Sequence, residues 1–117
     1  GDGGAAKAVK YVFSKHGIPF ISVSRKGEHN FENLTAEIVS EHQIIVQCTP
    51  VGTFPNCDEC LVFPFNGLTE KHLVIDLIYN PNYTEFIKKS SEKGAKCVNG
   101  YYMLEQQAEK AWEIWKS

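Results

Sequence analysis

The chain begins Gly1-Asp2-Gly3-Gly4-Ala5-Ala6-Lys7-Ala8, a glycine-rich turn running directly into helical periodicity. Gly1, Gly3 and Ala6 occupy the three small positions of Gly-x-Gly-x-x-Gly/Ala, the spacing of a dinucleotide-binding turn. The first glycine allows the tight turn, the second admits a pyrophosphate close to the backbone, and Ala6 lets the helix pack closely on its sheet. The helix N-terminus offers N–H groups and the positive end of its dipole to phosphates. Asp2 puts a carboxylate inside this turn, either near the pyrophosphate or turned away from it. Such a turn follows a β-strand, so the chain is expected to start inside a nucleotide-binding unit whose first strand lies immediately upstream of Gly1.

Periodicity predicts the rest of the fold. Over residues 3–16, Ala5, Ala8, Val9, Val12 and Phe13 share one helical face, and Gly17 with Pro19 ends the helix. Residues 18–24 read as a buried strand and residues 30–34 as a brief edge strand. Thr35 is placed to N-cap a short helix over residues 36–40. Residues 43–48 form a second core strand, and a loop rich in Pro, Asn and Cys runs to about Gly67. Residues 73–78 form a third strand and residues 83–93 an amphipathic helix stopped by Gly94. A short strand at residues 96–98 precedes a last helix carrying Tyr101, Leu104, Ala108, Ala111, Trp112 and Trp115 at helical spacing. Buried strands alternating with helices predict an α/β fold, a Rossmann-like doubly wound parallel sheet with helices on both faces, truncated at its N-terminus. In that order the first strand is central, so its absence is expected to leave a gap with unpaired backbone groups on both sides.

At 117 residues the chain is sized for one small domain. A hydrophobic fraction of 43% and a net charge of −2 are those of an ordinary globular domain, with no call for nucleic acid or a membrane surface as partner. No apolar run approaches the roughly 20 residues that span a bilayer. Cys57-Asp58-Glu59-Cys60 has metal-type spacing, but it stands alone, and Cys48 and Cys97 are isolated near strands. Free thiols in a reducing cytoplasm are the expectation, with no metal.

Cofactor choice in such folds is made about 20 residues past the glycines, where an acidic residue holds the ribose 2′-hydroxyl of NAD. Here that place reads Ser24-Arg25-Lys26. A hydroxyl and two cations suit a 2′-phosphate, which Arg grips bidentately. Charged hydrogen bonds of about 1.5–3 kcal/mol would favour NADP roughly ten- to hundredfold. Alternatively Arg25 and Lys26 only solvate a loop; the glycine turn at the right distance favours NADP.

Four further stretches follow in order: Thr49-Pro50-Val51-Gly52; Asp76-Leu77-Ile78-Tyr79-Asn80-Pro81; Thr84-x-Phe86; and Asn99-Gly100-Tyr101-Tyr102-Met103-Leu104-x-x-Gln107-Ala108. With the glycine turn and Ser24-Arg25-Lys26, they resemble the C-terminal NADP-binding domain of the shikimate dehydrogenase family over the whole chain. The resemblance implies that residues 1–117 are one NADP-binding Rossmann-like domain of a longer enzyme. It implies that Gly1, Gly3, Gly4 and Ala5 cradle the pyrophosphate and that Ser24, Arg25 and Lys26 surround the 2′-phosphate. Thr49, Pro50, Val51 and Gly52 would run along the cofactor, with Ile78, Gly100 and Met103 bordering the nicotinamide. Tyr79 and Gln107 would reach across a cleft to the substrate. Read without the family, Asp76 is structural, Tyr79 closes a strand end and Gln107 is an exposed helical polar residue.

The resemblance further implies reversible oxidation of shikimate to 3-dehydroshikimate with NADP+, in the shikimate pathway of aromatic amino-acid biosynthesis. The family's catalytic lysine and aspartate lie in the N-terminal domain and map onto no residue here. The chain alone is therefore expected to be inactive, and its partners to be shikimate and 3-dehydroshikimate with the N-terminal domain, in the cytoplasm, with a homodimer open. Rival readings are a quinate/shikimate dehydrogenase of relaxed specificity and a non-catalytic NADP-sensing module.

Overall fold

A computed structural model describes residues 4–24, 27–78, 80–100, 110 and 112–113. The first helix, α1 (Gly4–Lys15), buries Ala6, Val9, Val12 and Phe13, the stripe its sequence predicts. It ends at Gly17, whose φ is +68°. Gly17 N–H donates to the Ser14 carbonyl and Ile18 N–H to that of Phe13 at 2.8 Å. This is a Schellman stop, and it drops the buried Ile18 beside Phe13.

Three strands follow: β1 (Ile44–Gln47), β2 (Leu73–Asp76) and β3 (Lys96–Asn99). They form one parallel sheet in the order β1-β2-β3, with Gln47, Asp76 and Asn99 level with one another at its C-terminal edge. The central β2 is buried along its whole length, as the run Leu-Val-Ile-Asp requires of a strand covered on both faces. On one face Leu73 and Ile75 pack with Val9, Val12 and Phe13 of α1. On the other, Val74 packs with Val39 of α2 (Ala36–Ser40) and Phe86 of α3 (Glu85–Glu92). Thr35 and Thr84 cap α2 and α3, accepting from the Ile38 and Ile87 amides. The buried His72 pins α2 to the sheet: its Nδ1 accepts from Thr69 N–H at 3.0 Å, which leaves Nε2–H to donate to the Val39 carbonyl at 2.9 Å.

Two expected strands differ. Among the described residues, 18–24 form no sheet strand, and Val23 makes a parallel bridge to His29. A strand exists through its ladder, and these residues are separated from β1 by a groove of about 350 Å³ that both line. In the doubly wound order that groove is where the first strand lies between its neighbours. Register shows the open edge. Leu73 N–H donates to Gln43 and Leu77 N–H to Gln47, so residues 43, 45 and 47 face β2. Ile44 and Val46 therefore turn their amides to the groove, with no backbone partner among the described residues. Residues 30–34 are a turn rather than an edge strand. Asn30 Oδ1 accepts from the amides of Glu32 and Asn33, while Asn33 Oδ1 accepts from Asn30 N–H. Local side-chain bonds of this kind compete with a ladder.

The loop between β1 and β2 carries Cys57 and Cys60 as free, half-buried thiols. Among the described residues no three His, Cys, Asp or Glu side chains gather into a metal site. No helix among them is long and apolar enough to cross a membrane.

Candidate nucleotide-binding crevice

Parallel α/β sheets bind ligands outside the carboxyl ends of their strands. Here three loops leave that edge: residues 48–52 after β1, residues 77–84 after β2, and Gly100 after β3. Ala6 of α1 lines a groove together with Cys48 and Thr49 at the start of the first of these loops. No acidic side chain stands in the first turn of α1. A side chain at Gly4 would meet nothing within 4 Å among the described residues. The unpaired amides and positive dipole end of a helix N-terminus are suited to a pyrophosphate.

The loop after β1 is built on Gln47. This side chain is 3% exposed, and its Oε1 accepts from the Thr49 amide at 2.5 Å and the Thr49 hydroxyl at 2.7 Å. Its Nε2 donates to the Val51 carbonyl at 3.4 Å. Gly52 closes the turn at φ +98°, and a Cβ there would lie 3.0 Å from the Glu59 carbonyl oxygen, so both conformation and space demand glycine. The half-buried Cys48 follows β1, and burial pushes its thiol above the ordinary range.

The loop after β2 is built on Asp76, which is fully buried. Its Oδ1 accepts from the Ile78 amide at 2.9 Å, and its Oδ2 from the Thr84 hydroxyl at 2.7 Å. Burial raises the carboxyl above the usual carboxylate range, and those two hydrogen bonds pull the other way. Both oxygens accept, which is the arrangement of the ionised form. Ile78 is buried at the mouth of this loop. The Gly100 amide donates to the Asp76 carbonyl at 3.0 Å, which sets the exit of β3 beside it.

Of the site residues expected from sequence, Thr49, Pro50, Val51, Gly52, Ile78 and Gly100 follow the strands at this end of the sheet, and Gly4 and Ala5 begin α1. Ser24 lies in a turn at the end of the segment 18–24; its amide donates to the His29 carbonyl at 3.1 Å. Gly1, Gly3, Arg25, Lys26, Tyr79, Met103 and Gln107 lie outside the described residues. Sequence reasoning gave no role to Gln47 or Asn99. The signal was a polar side chain closing an otherwise apolar strand at the same level in adjacent strands.

No family model matches the chain. It is 34% identical to the shikimate dehydrogenase (NADP(+)) of Desulforamulus reducens, over 98% of this chain and 47% of that protein. A chorismate mutase/shikimate 5-dehydrogenase fusion protein from Clostridium acetobutylicum superposes with a TM-score of 0.66 at 32% identity, covering 99% of this chain and 44% of that one. A shikimate dehydrogenase solved in complex with NADP+ superposes with a TM-score of 0.55 at 33% identity, over 74% of this chain and 29% of that one. The chain spans about half the length of the curated relatives it matches. Across nearly its whole length, this chain belongs to the shikimate dehydrogenase family.

Proposed function

We propose that the chain is the NADP-binding domain of a shikimate dehydrogenase, serving reversible oxidation of shikimate to 3-dehydroshikimate in the cytoplasm. The observation that carries this reading is the gathering of the loops after β1, β2 and β3 at one edge of a parallel sheet, with Ala6 of α1 sharing a groove with Cys48 and Thr49 of the first. Relatives named as NADP+-dependent shikimate dehydrogenases, matched along 98% of the chain, support the substrate and the cofactor.

The amides of Gly4 and Ala5, with Gly1 and Gly3, would hold the pyrophosphate. Arg25 and Lys26 would take the 2′-phosphate, with Ser24 beside them. Thr49, Pro50, Val51 and Gly52 would run along the cofactor, and Ile78, Gly100 and Met103 would border the nicotinamide. NADP+ supplies the hydride acceptor, and the chain's task is to hold its reactive face against the substrate. Tyr79 and Gln107 would reach the substrate's hydroxyl or carboxylate. No residue of this chain is assigned the proton transfer, so the domain alone would bind cofactor without turnover.

The test is reduction of NADP+ and NAD+ by the natural protein that carries this chain, with shikimate and quinate side by side. Turnover with shikimate and NADP+ is the expected result. NADP+ binding without turnover on either acid would overturn the enzymatic reading and leave a cofactor-sensing module.

A further inference from the structure

We propose that Gln47, Asp76 and Asn99 act together as positioning residues for the crevice loops, a role resting on the NADP-binding reading above. They are register partners at the C-terminal ends of β1, β2 and β3. In-register residues of a parallel sheet project to the same face, so the three side chains form one polar row across the sheet. Each turns back onto loop backbone. Gln47 holds Thr49 N–H and the Val51 carbonyl of the loop after β1. Asp76 holds Ile78 N–H at the start of the loop after β2 and, through the Thr84 hydroxyl, the first turn of α3 at its end. Asn99 Nδ2 donates to the Asn82 carbonyl at 2.7 Å, in the middle of that same loop. The two loops are also joined directly, Phe54 N–H donating to the Asn80 carbonyl at 2.8 Å.

Gln47 and Asp76 are 3% and 0% exposed, so they are not offered to a ligand. Their hydrogen-bonding capacity is spent on backbone groups that would otherwise wander. Preorganised loops lower the ordering cost of binding, and here the ordered segments carry Thr49, Val51 and Ile78 toward the crevice. The row thus sets cofactor affinity from behind the binding surface.

The experiment combines backbone hydrogen exchange without ligand and NADP+ titration, on the wild type, Gln47→Met, Gln47→Glu and Asn99→Ala. Met matches the length of Gln and cannot accept from Thr49, whereas Glu keeps that acceptor. In Gln47→Met the Thr49 amide should lose protection while the amides of residues 74–76 keep theirs, and NADP+ affinity should fall about two- to tenfold, the worth of one ordinary hydrogen bond. Gln47→Glu, which keeps the acceptor for Thr49 and loses the donor to the Val51 carbonyl, should restore Thr49 protection and recover NADP+ affinity only in part. Unchanged Thr49 protection, or a released Thr49 with unchanged NADP+ affinity, overturns the proposal. A wild type that does not bind NADP+ overturns the cofactor reading instead, and Thr49 protection then decides whether the row holds the loops. If Gln47→Met fails to fold, Asn99→Ala, at a half-buried site, carries the same comparison through NADP+ affinity.

Discussion

The Thr84 hydroxyl donates to Asp76 Oδ2 at 2.7 Å and accepts from the Ile87 amide at 3.1 Å, so one side chain both caps α3 and satisfies a buried carboxylate. Thr84→Val keeps the shape and removes both bonds. Loss of an N-cap costs about 0.5–2 kcal/mol, and an unsatisfied buried acceptor about 1–3 kcal/mol. Urea unfolding should therefore show a loss of about 2–4 kcal/mol, with Thr84→Ser close to wild type. A larger loss in Thr84→Ser than in Thr84→Val would mean that packing of the methyl group, not the hydroxyl, holds this junction.

Asp76 makes stability depend on pH in a stated direction. Its folded pKa is raised above the ordinary value of about 3.9, chiefly by burial. A carboxyl so raised contributes stability that is complete below its unfolded pKa and is lost as pH rises through the folded pKa. The unfolding free energy of the wild type relative to Asp76→Asn should thus fall as pH climbs from about 4, and level off above the raised value. A relative stability that rises over this window would contradict burial as the dominant cause.

His72 joins α2 to the strand that follows it from 33 residues away, through the Val39 carbonyl. Its replacement by Leu keeps apolar bulk and orphans the Thr69 amide and the Val39 carbonyl. A loss of about 1–3 kcal/mol in chemical denaturation is expected. A change within about 0.5 kcal/mol, the range of ordinary surface substitutions, would make the pairing dispensable.

Much of this architecture was legible before the structure. α1, the Thr35 and Thr84 caps, and the three sheet strands fall where periodicity and capping place them, because helix stripes and buried apolar runs are local signals. Residues 18–24 were not legible in the same way. Their β-rich composition is real, but a strand needs a neighbour, and these residues face a groove instead of a ladder. Residues 30–34 were lost to the mutual bonds of Asn30 and Asn33, a local signal that competes with apolar alternation. At the candidate site, Gly52 and Ile78 were singled out by family resemblance. Gln47 and Asn99 became visible only through register, which brings together residues 52 positions apart.

Arg25 is the residue on which NADP preference turns in the proposed function. Arg25→Glu reverses the charge offered to a 2′-phosphate and presents a carboxylate where a 2′-hydroxyl can donate. NADP+ affinity of the natural protein should fall roughly ten- to hundredfold, with NAD+ binding unchanged or improved. Titration of both nucleotides checks this. A parallel loss of both would assign Arg25 to the folding of its loop.

The β1 edge gives a sharper test of the sheet itself. Ile45 and Gln47 direct their amides at β2, and Ile44 and Val46 direct theirs at the groove. In this 117-residue chain the amides of residues 44 and 46 should therefore exchange much faster than those of 45 and 47, despite similar apolar surroundings. Exchange is governed by whether an amide is bonded and by the free energy of opening that bond. Alternation of fast and slow along four consecutive residues is the signature of an edge strand. Uniformly slow exchange across the four would show that Ile44 and Val46 are paired in solution and that the groove is closed.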